Sequence, residues 1–189
     1  MAEPTDAEAI QASFDDPRAF VVVFERHFDA IFRYLRRRVG RGRAEELAAE
    51  TFTQALASRH RFDSTHWDAR PWLYGIAVNL LRHHYRREER ELRAYARSGV
   101  DPLVSEEPSL ERVDATTATP QVAEALAQLA PIEREVLLLY ALADLTYGEI
   151  ADALGIPVGT VRSRLNRARG HVRELLATSG QYVEGTTDG

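Results

Sequence analysis

TYGEIADALGIPVGTVRSRLNRAR, residues 146–169, is the stretch that decides the fold. Thr146 followed three residues later by Glu149 is the pattern of a capping box, in which hydroxyl and carboxylate each satisfy a free backbone N–H at a helix start. Ile150, Ala151 and Leu154 then recur at helical spacing. Gly155 stands where a helix ends in a left-handed residue, and Pro157 cannot continue that helix but can begin the next. The spacing predicts a short helix, a tight turn and a second helix over about 158–176.

At 3.6 residues per turn, Val161, Leu165, Ala168 and Val172 share one side of the second helix. The opposite side carries Arg162, Ser163, Asn166, Arg167 and Gly170, with Arg164 and Arg169 on its flanks. Residues 158–173 hold five arginines and no carboxylate. A helix that enters a DNA major groove needs hydrogen-bonding groups on its outward tip and cations at its edges for phosphates. A solvated amphipathic helix would show a basic face too, but the capping box, glycine turn and purely cationic face together point to a helix-turn-helix that binds DNA.

Around this motif the 189 residues are 44% hydrophobic and 28% charged, which suits one or two modest globular domains. The net charge of −5 opposes contact with a polyanion, so the basic stripe is a local departure from the average. All 24 basic residues are arginine, a bias that GC-rich coding explains more simply than chemistry. The absence of cysteine excludes disulfides, thiolate zinc sites and thiol catalysis. The acidic N-terminus lacks a signal-peptide pattern, and no apolar run approaches the roughly 20 residues of a membrane span. A cytoplasmic location without membrane insertion is expected.

Hydrophobic spacing is helical almost throughout. Phe20, Phe24, Phe28, Ile31 and Leu35 form one stripe, begun at Asp16-Pro17 and stopped by Gly40-Arg41-Gly42. A second helix turns Leu47, Ala48, Thr51, Phe52, Ala55 and Leu56 inward and Glu45, Glu46 and Glu50 outward. Residues 58–70 read as a polar loop, and Pro71 fits the first turn of a long helix with Leu73, Ile76, Ala77, Leu80 and Leu81. Helical spacing lapses over 98–119, a flexible linker by composition. It resumes with Val122, Leu126 and Leu129, then with Val136, Leu137 and Tyr140 behind Pro131. The expected class is all-α, two small helical domains joined by a tether.

Catalytic signatures are missing. His83 and His84 are adjacent, so on a helix they point about 100° apart and cannot share a metal. HExxH, P-loop and GxSxG patterns are absent. No catalytic residue, metal or cofactor is expected.

LAPIEREV (129–136), TYGEIA (146–151) and GTVRSRL (159–165) closely resemble the C-terminal domain of extracytoplasmic-function sigma factors, in the sigma-70 family. RAEELAAETF (43–52) resembles that family's polymerase-binding helix, and RPWLYGIAVNLL (70–81) its helix for the minus-10 promoter element. The resemblance implies sigma domain 2 over 14–97, a linker over 98–119 and sigma domain 4 over 120–178. It implies a promoter-recognition subunit of RNA polymerase that assists melting at the minus-10 element. Glu45, Glu46 and Glu50 would dock on the polymerase clamp helices, and domain 4 on its flap; Ala49 stands where the family commonly has Gln. His66, Trp67, Asn79, Arg82 and Arg86 would meet the melted minus-10 strand, while Trp72 matches a core position. Arg162, Ser163, Asn166 and Arg167 match the bases-facing positions for the minus-35 duplex, the set the helical wheel selects independently. Thr160, Arg164 and Arg169 suit phosphates.

The competing reading is a stand-alone regulator whose N-terminal domain senses or dimerises, and it predicts tight operator binding without polymerase. Burying either DNA-facing surface would silence a sigma factor, so an inhibitory anti-sigma protein is the expected kind of regulator.

Overall fold

Thr5 begins the first helix, α1 (Asp6–Ala12), through a full capping box: its hydroxyl accepts from the Glu8 N–H at 3.2 Å, and its own N–H donates to the Glu8 carboxylate at 2.7 Å. The structure, a computed structural model, describes residues 3–98 and 120–184. The chain divides into two compact units, Met1–Glu111 and Arg112–Gly189. Of the expected tether, Ser98 ends a helix and 99–119 lie outside the described residues. Among the described residues the regular structure is helical throughout, as the spacing predicts.

In the first unit, Asp16 caps a 3-10 turn, Pro17–Phe20, which feeds α2 (Val21–Val39). Gly40 ends α2 at φ 74°, a conformation that costs a residue with a side chain strain, and α3 (Arg41–Ala57) starts directly after it. A second 3-10 turn, Arg59–Arg61, interrupts the stretch read as loop before α4 (Arg70–Ser98). The helices enclose Ile31, Tyr34, Leu35, Leu73, Val78 and Leu81, all essentially inaccessible. Burying each such aliphatic side chain is worth about 1.5–3 kcal/mol. Alanines 44, 48, 55 and 77 are fully buried as well, letting the helix axes approach closely.

The stripe on α2 is rotated from its expected centre. Val23, Ile31 and Leu35 are buried, whereas Phe24 stays 38% exposed and Phe28 half-buried. The two rings lie along the edge where α3 packs, with Phe52 at 5.1 Å from Phe24 and 5.9 Å from Phe28. On α4, Trp72 is half-buried beside Phe62, its ring centroid 5.3 Å away, so it roofs the loop from the core's margin.

In the second unit, α5 (Pro120–Ala127), α6 (Pro131–Leu142) and α7 (Tyr147–Leu154) pack around α8 (Val158–Glu184). Buried Arg134 explains part of the 129–136 motif: its guanidinium donates to the carbonyls of Leu126, Ala127 and Leu129 at 2.5, 2.7 and 2.9 Å. One cation thereby satisfies the carbonyls that end α5. Val161, Leu165 and Ala168 are buried as the wheel predicts, with Val172 half-buried. On α6 the core residues are Val136, Leu138 and Leu139, whereas Tyr140, expected among them, is 37% exposed.

Candidate nucleic-acid interface

The helix-turn-helix is built as its sequence requires. Thr146 accepts from the Glu149 N–H at 3.3 Å, and the Glu149 carboxylate accepts from the Thr146 N–H at 2.7 Å. Gly155 is left-handed at φ 62°, and the Ile156 N–H closes onto the Ala151 carbonyl at 3.0 Å, which is a Schellman closure. Thr160 and Val161 then bond back to the Pro157 carbonyl and start α8.

Arg162, Ser163, Asn166 and Arg167 are all exposed on α8, opposite the buried Val161, Leu165 and Ala168. The Ser163 hydroxyl donates to the Thr160 carbonyl at 3.0 Å, which leaves its oxygen as an acceptor. Arg162 and Arg164 have no ion-pair partner among the described residues. Arg167 does have one, the Glu133 carboxylate of α6, at 2.8 Å from its Nε. Arg169 lies over the Tyr140 ring at 4.6 Å, and Tyr140 in turn packs against Tyr147 at 5.8 Å. A shallow cleft of 420 Å³ between α7 and α8 is lined by Tyr147, Gly159, Arg162, Ser163, Asn166 and Arg169, among others. Sequence spacing misses the two tyrosines and Glu133, because what makes them part of this face is contact with α8. A carboxylate in the first turn of α6 is the one local hint, and its burial appears only in the fold.

The first unit presents a surface of another kind. The loop before α4 is tied at several points. Asp63 accepts from the Thr65 N–H and hydroxyl at 3.0 and 2.8 Å, which keeps its carboxyl below the usual aspartate range. Asp68 accepts from the Arg70 N–H at 2.8 Å and pairs with its Nε at 2.7 Å. The Ala69 N–H donates to Asp6, a buried residue of α1, at 2.8 Å. His66 and Trp67 project between these ties, and Trp67 is 73% exposed.

Asp6 is the hub of this arrangement. Its carboxylate also bonds His27 Nε2 at 2.7 Å and the Arg26 guanidinium. Burial by itself would raise its pKa, but His27, the Ala69 N–H and Arg26 together hold it below the usual value. Asp6, His27 and Asp68 bring potential ligand atoms within 4.8 Å of one another, yet the carboxylates are already engaged by the chain's own N–H and guanidinium groups. That donor set is an internal polar network.

Beyond the loop, Asn79 and Arg86 are exposed about two turns apart on one face of α4, with half-buried Arg82 beside them. Neither arginine has an ion-pair partner among the described residues, whereas Arg87–Glu91 and Arg93–Glu89 are paired further along. Glu45, Glu46 and Glu50 are exposed on α3. Arg41 reaches Glu45 at 3.3 Å, Arg43 pairs with Glu46, and Gln54 donates to Glu50 at 3.1 Å. Exposed pairs of this kind are worth roughly 0–1 kcal/mol and can be exchanged for a partner's groups. Burial pushes the nearby His84 below its usual pKa, against the pull of Glu88, with Arg43 adding to the depression. Among the described residues no helix is long and apolar enough to cross a membrane.

Comparison with known proteins finds a separate family match in each unit. The model for sigma-70 region 2 matches residues 23–91, and that for sigma-70 region 4 matches residues 120–172. The RNA polymerase sigma factor HrpL of Pseudomonas syringae pv. syringae is 35% identical over 132 residues, 66% of this chain and 68% of that protein. The ECF RNA polymerase sigma factor SigC of Mycobacterium tuberculosis is 30% identical over 167 residues, 88% of each chain. The solved structure of CnrH, in complex with the cytosolic domain of CnrY, matches with a TM-score of 0.63 at 27% identity, covering 90% of this chain and 95% of CnrH. Region 2 thus falls on the helices that carry the tied loop and region 4 on the helix-turn-helix, and the chain belongs to the extracytoplasmic-function group of the sigma-70 family, whose members direct RNA polymerase to promoters.

Proposed function

We propose a division of labour along the chain in which residues 14–97 bind the polymerase clamp helices and the minus-10 element, 98–119 tether, and 120–178 bind the minus-35 duplex and the flap. The observation that carries it is the α8 face, where Arg162, Ser163 and Asn166 stand exposed in a segment, 158–173, without a carboxylate. Such a face places guanidinium and amide groups where base edges lie in a major groove, at about 1–3 kcal/mol for each good bidentate contact. Thr160, Arg164 and Arg169 flank it for phosphates, which fix position without reading sequence.

In the first unit His66, Trp67, Asn79, Arg82 and Arg86 receive the melted strand. Extruding a base costs a few kcal/mol, and an aromatic ring exposed at the tip of a tied loop returns about 1–3 kcal/mol by stacking. Glu45, Glu46 and Glu50 supply the polymerase contact. Each DNA contact is weak alone, and tethering on a common polymerase makes the second binding event intramolecular. The protein itself performs no chemistry, needs no cofactor and acts in the cytoplasm. CnrH is solved in complex with the cytosolic domain of another protein, CnrY, and by analogy a protein partner of the anti-sigma kind would silence this chain by covering these surfaces.

In vitro transcription with bacterial core polymerase, the purified chain and a genomic promoter library tests this reading. Initiation from a distinct promoter set, lost in the Arg162→Ala, Arg167→Ala variant, is the expected result. No initiation with the cognate core, together with tight operator binding by the chain alone, would overturn it in favour of a stand-alone regulator.

A further inference from the structure

Arg167 differs from its neighbours on the α8 face. Its Nε donates to a carboxylate from another helix, Glu133, 34 residues earlier in sequence. The Glu133 side chain is only 11% exposed while that of Arg167 is 59% exposed, so the bond has a sheltered end and an open end. A guanidinium has five N–H donors in a rigid plane. With Nε held inward, the two terminal nitrogens form a fork directed away from the carboxylate, and that fork matches the paired acceptors N7 and O6 of guanine. Glu133 itself is fixed by the first turn of α6, where a carboxylate is favoured by the helix dipole.

We infer that Glu133 is a positioning residue that sets promoter specificity: it holds Arg167 in a base-reading orientation and keeps it from relaxing onto a phosphate. The inference rests on the reading of α8 as the minus-35 helix. A carboxylate beside a DNA-binding face opposes the phosphate charge, so it lowers affinity for every sequence alike. What it contributes is a difference between sequences, because a free arginine side chain would settle on any phosphate within reach. Removing Glu133 therefore exchanges one base contact for one phosphate contact.

The test uses holoenzyme made from core polymerase and the full chain. Its probes are a labelled promoter duplex selected from a random library by the wild-type holoenzyme, and the same duplex with the minus-35 region scrambled. Binding to both is measured over a series of salt concentrations. For Glu133→Ala the expected loss of discrimination is about tenfold. The slope of log K against log salt steepens by about one, the signature of one additional phosphate contact. Glu133→Gln, whose side-chain oxygen still accepts from Nε, keeps most of the discrimination. Arg167→Lys keeps the charge but loses the fork, and discriminates as poorly as Glu133→Ala. Should Glu133→Ala not fold, the Gln and Lys variants decide the matter. Wild-type discrimination in Glu133→Ala, or in Arg167→Lys where the Ala variant does not fold, overturns the inference. Arg162→Ala separates the two levels: if it abolishes discrimination when the others do not, only the role of Glu133 fails, and if it too changes nothing, the reading of α8 fails.

Discussion

Thr5 and Thr146 open helices in the two units with the same chemistry, a hydroxyl and a carboxylate three residues apart closing a capping box. The spacing TDAE at 5–8 is as good a local signal as TYGE at 146–149, yet only the second announces a motif. In α7 the box is followed by periodic apolar residues and a glycine stop, so local signals agree from end to end. In α1 the helix has seven residues, with Ala9 and Ile10 its only buried apolar groups. What fastens it is Asp6, a buried polar residue whose partners, His27 and the Ala69 N–H, lie 21 and 63 residues away. The same capping motif thus begins a self-specified element in one unit and a tertiary clasp in the other.

The two proposed DNA-facing surfaces follow this contrast. On α8 the candidate residues share one helix face, positioned by the period of the helix itself. Around Trp67 they lie on a loop and the helix after it, the loop positioned by Asp63, Asp68 and the Asp6 carboxylate of α1.

Asp6→Ala should have the largest effect, because it leaves buried His27 and the Ala69 N–H without their carboxylate. We expect a loss of about 3 kcal/mol or more. Both tryptophans, Trp67 and Trp72, lie in the first unit, so urea unfolding followed by tryptophan fluorescence reads this loss there. An unchanged midpoint would break the contrast. The pH dependence has a definite sign. The folded Asp6 pKa lies below its ordinary 3.8, so its contribution is complete above that value and is lost as pH falls through the lowered one. Asp6→Asn should remove this acid-dependent component.

Gly155→Ala should come next. A side chain at φ 62° costs about 1–2 kcal/mol, and nothing lies within 4 Å to offset or add to that strain. Helical circular dichroism should report the loss while tryptophan fluorescence remains unchanged, since the second unit has no tryptophan. A matching shift in fluorescence would show that the units do not unfold independently.

The capping threonines should give the smallest effects, about 1 kcal/mol each for Thr5→Ala and Thr146→Ala. The distinction between them is where the effect is read: fluorescence should follow Thr5→Ala and be blind to Thr146→Ala. A larger loss for Thr5→Ala than for Thr146→Ala would show that the first cap also supports the Asp6 clasp.

By itself the sequence determined the all-helical class, the helix-turn-helix and the outward face of α8. Each of those depends on residues within a few turns of one another, where helical period, capping and the left-handed preference of glycine act directly. RPWLYGIAVNLL likewise marked α4, through Pro71 and the spacing of Leu73, Ala77 and Leu81. Tertiary structure alone decided which side of α2 is buried, why Tyr140 lies under Arg169, how Arg167 meets Glu133 and what ties down the loop around Trp67. In each case a deciding partner lies on another element, 20 or more residues away, although Asp63 and Asp68 add local ties to the loop. For Asp6 the energy comes from polar groups paired away from water. Hydrophobic spacing carries no record of such pairs, because a buried carboxylate and a solvated one look alike until the chain has folded around them.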